Sequence, residues 1–574
     1  MTELFIDNKP VMLPADLDLK VKQQNPLITK NGTFTLDLTL SLQERNNSIL
    51  YKHIERLQAS SVFDKRKAVL ISDGHIIING TEAFISNTNE EVKIQLLSGN
   101  SELNYFMGTD VYISSLDLGK ETDFSNERLN QVIKKGFPDT DFVTPMVKIG
   151  SSIYNEHPAL DLDPQGWKPY VFSNIAIQPF LLAMIEKILT ALGYKIEYNE
   201  ARNDNFLSSI FLLNSDKSGM YNRILPGWKV KDFLEECEKL MNLIFVIDNA
   251  NRSVKILCAS SNNTTGTYTI NNVLDAFERT IVDDNEKVSY KNICYDFPSS
   301  TEYRFQCIED EVLDRALLDT SQTYDDLINK LKGPDGSVLP DSLGDQLYNS
   351  SYLWHVVETD SYYIIDKRSY NFPGNPPEAA TTYYYPRKVH TFRKYQSNKD
   401  EDFLKLSFFP CVYFSKDSTP WYIDSERIPY LPGTSDKEQD GEYSIKKLIE
   451  NGAKDFNSTK KQVAISSFHP ALNGIYFTLN DNVADYHSSN SWYQKEYGTF
   501  RLTGPDGLVE KYYQPNLKID FTREYTIKFI SNILPDVRAE FILNNKLFIC
   551  KELEYRITNE GIHPEITGTF YEVK

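Results

Sequence analysis

The chain is 574 residues long, well past the size at which one hydrophobic core keeps growing, so about three or four domains are expected. Its formal net charge of -19 argues against a basic surface that grips nucleic acid. Its 41% hydrophobic content, with 35 Tyr and 32 Phe, suits strands and interfaces more than helical bundles. Residues 1–10 carry no apolar run of the signal-peptide kind, and no stretch approaches the ~20 apolar residues that span a bilayer. Folding in the cytoplasm of the producing cell, without a membrane span, is the expectation.

In chain order, Leu17, Leu19 and Val21 alternate with Asp18, Lys20 and Lys22, and after Asn25-Pro26 and Asn31-Gly32 a second alternation begins. Phe34, Leu36, Leu38, Leu40 and Leu42 fall on one side of it, and Thr33, Thr35, Asp37, Thr39 and Ser41 on the other. Ten such residues predict one strand of roughly 33 Å at ~3.3 Å per residue, with one dry and one wet face, like the wall of a barrel or tube. A short amphipathic helix is expected around 49–57. Asp73-Gly74 and Asn79-Gly80 then read as the turns of a meander of four short strands over 67–97.

Residues 108–173 are rich in Asp, Asn and Pro and read as long loops and a domain crossing. Pro179 is placed as a first helical residue, and Leu181, Ile185, Ile188 and Leu192 recur at helical spacing until Gly193, with a strand over 194–198. The unit recurs, with Val230, Phe233, Leu234, Cys237, Leu240 and Met241 on one helical face and a hairpin over 243–247 and 253–257. A helix over 324–331 precedes the turn-rich Gly333-Pro334-Asp335-Gly336, a boundary between the front and back halves. A hairpin is expected across Asp360-Ser361, aromatic strands over 382–385 and 408–414, and a solvated loop over 433–442. Closing strands at 525–530, 538–543, 546–553 and 565–573 turn at Asn544-Asn545, which builds the C-terminus into a sheet. The fold class is therefore α+β, predominantly antiparallel β and multi-domain, with barrel-like domains and helix-plus-hairpin modules.

No nucleophile elbow, phosphate loop, dinucleotide fingerprint or His-Glu-x-x-His is present, so no catalytic residue and no cofactor is assigned. The eight histidines never fall at the spacing that puts two ligands on one helical face, so no metal is expected. Cys237, Cys258, Cys294, Cys307, Cys411 and Cys550 are scattered and read as buried thiols. His-Pro-Ala-Leu occurs at 157–160 and at 469–472, but the flanks do not match and it is not taken as a repeat. Asp283-Asp284 and Glu309-Asp310-Glu311 are acidic enough for a glycosidase pair, yet charge runs are usually solvated faces. Tyr383-Tyr384-Tyr385, Trp421-Tyr422 and Trp492-Tyr493 fit core or interface packing better than sugar stacking.

The order of parts resembles the phage tail hub, or baseplate hub and tail-tip, family that includes late control proteins. The residues that carry this are Glu3-Leu4-Phe5-Ile6-Asp7, the alternation at 33–42, the meander, and Leu225-Pro226-Gly227-Trp228 entering a helix followed by a hairpin. At the end, Lys546-Leu547-Phe548-Ile549-Cys550-Lys551-Glu552-Leu553-Glu554-Tyr555 and Gly568-Thr569-Phe570-Tyr571 resemble the ends of structural proteins from phages of Bacteroidetes-type hosts. The resemblance divides the chain into a barrel-like tube domain (1–110), an α+β domain (111–318), a β-rich aromatic insertion or peripheral domain (319–515) and a C-terminal β segment (516–574) free to pack back on the tube domains. It implies a homotrimeric ring in the virion tail, joining tail tube to spike, fibre or other baseplate proteins and passing double-stranded DNA without specific binding. Thr35, Asp37 and Thr39 would then face an acidic lumen or a neighbouring subunit. The competing expectations are a polysaccharide-binding adhesin and a polysaccharide-degrading enzyme.

Overall fold

A computed structural model describes residues 1–29, 31–58, 66–101, 111–156, 171–225, 227–248, 251–260, 264–282, 293–295, 307–308, 317–330, 352–358, 361–370, 381–391, 404–415, 427–431, 463–468, 500, 507–513 and 518–574. Its largest element is a sheet of 14 strands drawn from both ends of the chain. Numbered along the chain, these are β1 (Thr2–Ile6), β2 (Lys9–Val11), β3 (Leu19–Gln24), β4 (Thr33–Thr35), β5 (Leu38–Ser41), β6 (Lys67–Ser72), β7 (His75–Asn87) and β8 (Glu91–Ser98). They continue as β9 (Thr267–Thr269), β10 (Glu278–Ile281), β11 (Ile519–Ile530), β12 (Glu540–Leu543), β13 (Lys546–Ile557) and β14 (Ile562–Val573). The order is β10-β11-β14-β13-β3-β4-β8-β7-β6-β1-β2, with β5 on β8 and β12 bridging β9 and β13. Apart from β9 against β12, these pairings are antiparallel.

Local chemistry explains the hairpins. Asp7-Asn8, Asp73-Gly74 and Asn544-Asn545 all hold positive φ at both central positions, the twist that two-residue hairpins need. The sheet curls back on itself, because the Thr2 hydroxyl donates to Thr558 O at 2.5 Å and Thr2 N–H to Asn559 O at 3.2 Å. One core results, in which Leu4, Leu40, Leu70 and Ile94 meet Phe541, Phe548, Phe570 and Tyr555. Phe541 and Phe570 pack with ring centroids 4.9 Å apart. Each such side chain is worth roughly 1.5–3 kcal/mol of burial. Residues 1–110 share this core with β11–β14, which supply more than a third of it, and β3 pairs directly with β13.

Three local expectations need correction. The ten-residue strand is two strands, because Phe34 pairs with Leu97 but Leu38 with Ile94, which leaves one extra residue on the β4–β5 side. That bulge flips the faces, so Leu36 is 36% exposed while Thr35 is fully buried. Asn79-Gly80 is no turn but lies inside β7, where a Cβ on Gly80 would collide with Leu97 O, so glycine serves close backbone approach. The region 67–97 thus holds three strands. The helix expected at 49–57 spans Arg45–Leu50 instead, because positive φ at Lys52 and His53 ends it, and Ile49 and Leu57 point to solvent.

A second core lies under the helices Leu181–Ala191 and Val230–Met241. Gly193 at φ 88 and Asn242 at φ 47 terminate them, and the strands Lys195–Asn199, Ser253–Cys258 and Leu243–Asp248 follow as a three-stranded sheet. Pro179 precedes the first helix in a short strand, Gln178–Pro179. Segments from beyond 319 enter this same core. Val463–Ser467 pairs with Ile210–Leu212 and with Phe408–Pro410, and Trp228 stacks on Phe408 at 5.5 Å. The region 319–515 is therefore not wholly peripheral. Its expected boundary also falls inside a strand, Leu317–Ser321, which pairs with Tyr352–Val356 in a five-stranded sheet. The helix Tyr324–Lys330 and the hairpin of Tyr352–Val356 with Ser361–Tyr370 lie where the residues placed them.

Candidate assembly surface

The outward face of the large sheet is a ladder of opposite charges. Lys20 and Lys22 alternate along β3, and Glu552 and Glu554 along β13, with Lys22 directly opposite Glu554 and Gln24 opposite Glu552. Lys22 Nζ lies 2.6 Å from Glu552 and 3.4 Å from Glu554, Lys20 Nζ lies 3.4 Å from Glu554, and Gln24 Nε2 donates to Glu552 at 2.5 Å. Further out, Lys551 pairs with Glu524, which also accepts from the Tyr571 hydroxyl at 2.6 Å, and Arg556 pairs with Asp18 at 3.4 Å. Burial works against the Lys22 ammonium, but Glu552 and Glu554 outweigh it and hold its pKa above the ordinary value. Partly exposed pairs of this kind are worth about 0–1 kcal/mol each, so their role is to fix register and to neutralise the charges of this face.

Asp37 and Thr39 lie on this face. Gln95 Nε2 donates to Asp37 at 2.9 Å, and Thr39 sits opposite Lys93. Thr35 does not lie there. It is buried beneath the bulge, where its hydroxyl accepts from Leu96 N–H at 3.0 Å in place of a ladder bond. Nor is the ladder acidic, because Lys20, Lys22, Lys551 and Arg556 answer Asp18, Glu524, Glu552 and Glu554. Lys-x-Lys in one alternating segment and Glu-x-Glu in another, at the same spacing, was the signal by which this face could have been found.

Two polar clusters pin the loop after the first helix. Tyr51 donates to Glu82 at 2.6 Å, and the Arg66 guanidinium donates to Glu82 at 2.7 Å while lying 4.4 Å from the Tyr51 ring. Burial pushes the Glu82 carboxyl up, against Arg66 and Tyr51. Ser48, His53 and Glu55 have the composition of a catalytic relay but not its geometry. Ser48 Oγ at 2.8 Å and Glu55 Oε1 at 3.1 Å both meet His53 Nδ1, so no proton path runs from serine through the ring to the acid. A third cluster, Lys511 at 2.9 Å and Tyr512 at 3.1 Å from Asp204, fastens residues 508–513 to the second core.

Among the described residues no group of three or more His, Cys, Asp or Glu is placed to hold a metal. Cys237, Cys258, Cys411 and Cys550 are buried thiols. The side chains of Cys294 and of Tyr383-Tyr384-Tyr385 lie outside the described residues, as do Cys307 (side chain), Asp283-Asp284, Glu309-Asp310-Glu311, Trp421-Tyr422, Trp492-Tyr493, both His-Pro-Ala-Leu segments and the 433–442 loop. A shallow depression of about 440 Å³ is lined, among the described residues, by Thr320, Ser321, Gln322, Asp326, Asn329 and Lys330, none of them aromatic. No helix among the described residues is long and apolar enough to cross a membrane.

No family model matches the chain, and no curated protein matches it. Among solved structures it is similar to the 43 kDa tail protein of prophage MuSo2 from Shewanella oneidensis, at 7% identity and a TM-score of 0.32, covering 100% of this chain and 97% of that one. It is also similar to a tail protein from Neisseria meningitidis MC58, at 7% identity and a TM-score of 0.30, with 100% and 96% covered. For prophage tail protein gp18 from Listeria monocytogenes EGD-e the values are 7%, 0.28, and 99% and 94%.

Proposed function

We propose that the chain is a structural subunit of a phage tail, a hub-type protein that forms a threefold ring, joins the tail tube to a spike or fibre, and lets duplex DNA pass. The observation that carries this reading is the curled sheet built from the two ends of the chain, with a dry core inside and a charge-paired ladder outside. Such a wall suits abutting neighbours, and its matched charges offer no run of cations to hold phosphates. The acidic surplus of -19 lies off the ladder and acts in the same direction. The order of parts seen in the sequence supports the hub over other tail positions.

In this reading the chain performs no chemistry and needs no metal or cofactor. Full-length protein incubated with host envelope polysaccharide should release no reducing ends, and a chelator should leave its Tm unchanged. Immunogold labelling of intact particles tests the placement. Gold at the junction of tail tube and tip is expected, while label on the head or far out along fibres would refute the hub assignment.

A further inference from the structure

The two ends of the large sheet are chemically unlike. At the β2 end, Pro10 has no N–H to offer, and Asn47 engages both backbone groups of Met12, accepting from its N–H at 3.0 Å and donating to its carbonyl at 2.9 Å. That edge is closed to a further strand. At the β10 end all four residues of Glu278–Ile281 are exposed. Val282 N–H donates to Thr522 O on β11, so by antiparallel alternation Arg279 and Ile281 turn their backbone groups to the open edge.

The strand itself carries one apolar residue, Ile281, beside a charged one, Arg279. Arg279 pairs in register with Tyr525, a buried core residue, which places Arg279 and Ile281 on the core side of the sheet. Ile281 is 77% exposed, and Phe277, 6.0 Å from the Tyr525 ring, is 52% exposed. Val273, Leu274, Ile530 and Ile533, on the neighbouring chain segments, are exposed as well. Among the described residues no further strand lies beside β10, and exposed apolar side chains next to such an edge mark a contact. Arg279 has no carboxylate at ion-pair distance among the described residues, while nearby Lys546 is paired with Glu572 at 2.6 Å.

Antiparallel self-pairing centred on Arg279 sets two guanidiniums face to face, centred on Glu278 two carboxylates, and centred on Thr280 an isoleucine opposite each guanidinium; the register centred on Ile281 is the one by which a second copy would compete. We infer that β10 is a docking edge for an extended segment of another protein, which adds one strand and carries an Asp or Glu between two large apolar residues at two-residue spacing. Its apolar pair would cover Phe277 and Ile281, and its acid would meet Arg279. This holds whatever assembly the chain belongs to.

The test is fluorescence anisotropy of the full chain with the labelled, end-capped peptide Thr-Val-Thr-Glu-Thr-Val-Thr and with its counterpart carrying Lys for Glu. The Glu peptide should bind about two- to fivefold tighter, the range of a cross-strand charge pair. Arg279→Glu should reverse that preference. Ile281→Pro removes an outward N–H at a solvated edge and should abolish binding of both peptides with Tm unchanged. Equal affinities, binding that survives Ile281→Pro, or no binding of either peptide up to about 1 mM would overturn the inference. Concentration-dependent self-association lost in Ile281→Pro would overturn it too, by giving the edge to a second copy.

Discussion

Thr35 and Asp37 show how much one inserted residue decides. Thr35 supplies the acceptor for a buried N–H, so Thr35→Val, equal in shape, should lower unfolding stability by about 1–3 kcal/mol in urea titrations. Asp37→Ala on the wet face should stay within about 0.5 kcal/mol. The opposite ranking would show that the bulge is misplaced. Leu38, 3% exposed, extends the same logic: Leu38→Asp should abolish soluble expression and Thr39→Asp should not. Titration splits along similar lines. Ile562 N–H and then the N-terminal ammonium hold Asp73 below the usual carboxylate range, and Lys546, with Tyr525, does the same for Glu572. Lowered carboxylates stabilise the fold above their ordinary pKa of about 4, and that contribution is lost as pH falls through their lowered values. Glu82, raised by burial, acts in reverse, so stability falls as pH rises from about 4 towards its raised value. Tm measured against pH should therefore lose part of its acid-side slope in Asp73→Asn, and in Glu82→Gln should lose the decline between about pH 4 and the raised value of Glu82.

At the level of elements, the interleaving of chain ends predicts that a fragment of residues 1–110 will not hold a cooperative fold, whereas adding 519–574 in trans should restore protection of β3 and β8 amides from hydrogen exchange. A fragment that melts cooperatively by itself would contradict the shared core. Gly561 joins the two halves at their turns: at φ 146 and against the Asp73 carboxylate it leaves no room for a Cβ, so Gly561→Ala should destabilise the protein. What the residues disclosed, and what they hid, follows range. The turns at Asp73-Gly74 and Asn544-Asn545 and the helices ended by Gly193 and Asn242 were legible apart from Asn242 itself, because their causes lie within a few residues. The bulge at Leu36 was not, since it exists only relative to the register of β8, and a period-2 count cannot see its partner. Gly80 carried a turn dipeptide but serves close packing on Leu97, which is likewise non-local. Long-range pairing is hidden for the same reason: that of Val463–Ser467 with Ile210–Leu212 leaves no mark in either segment.

For the whole molecule, the proposed function makes the curled wall, the charge-paired outer ladder and the open edge seen among the described residues parts of a ring component that touches DNA without holding it. Interfaces of an obligate ring are large and well packed, so the assembly should persist in moderate salt that would screen apart one held by surface ion pairs. Cryo-electron microscopy of the intact particle, viewed down the tail axis, tests this most directly. The proposed hub should appear as three copies around an open channel at the junction of tube and tip, with the Lys22–Glu552 ladder at the lumen or between subunits. Copies sitting away from the axis, as a peripheral fibre or a head decoration, would contradict it.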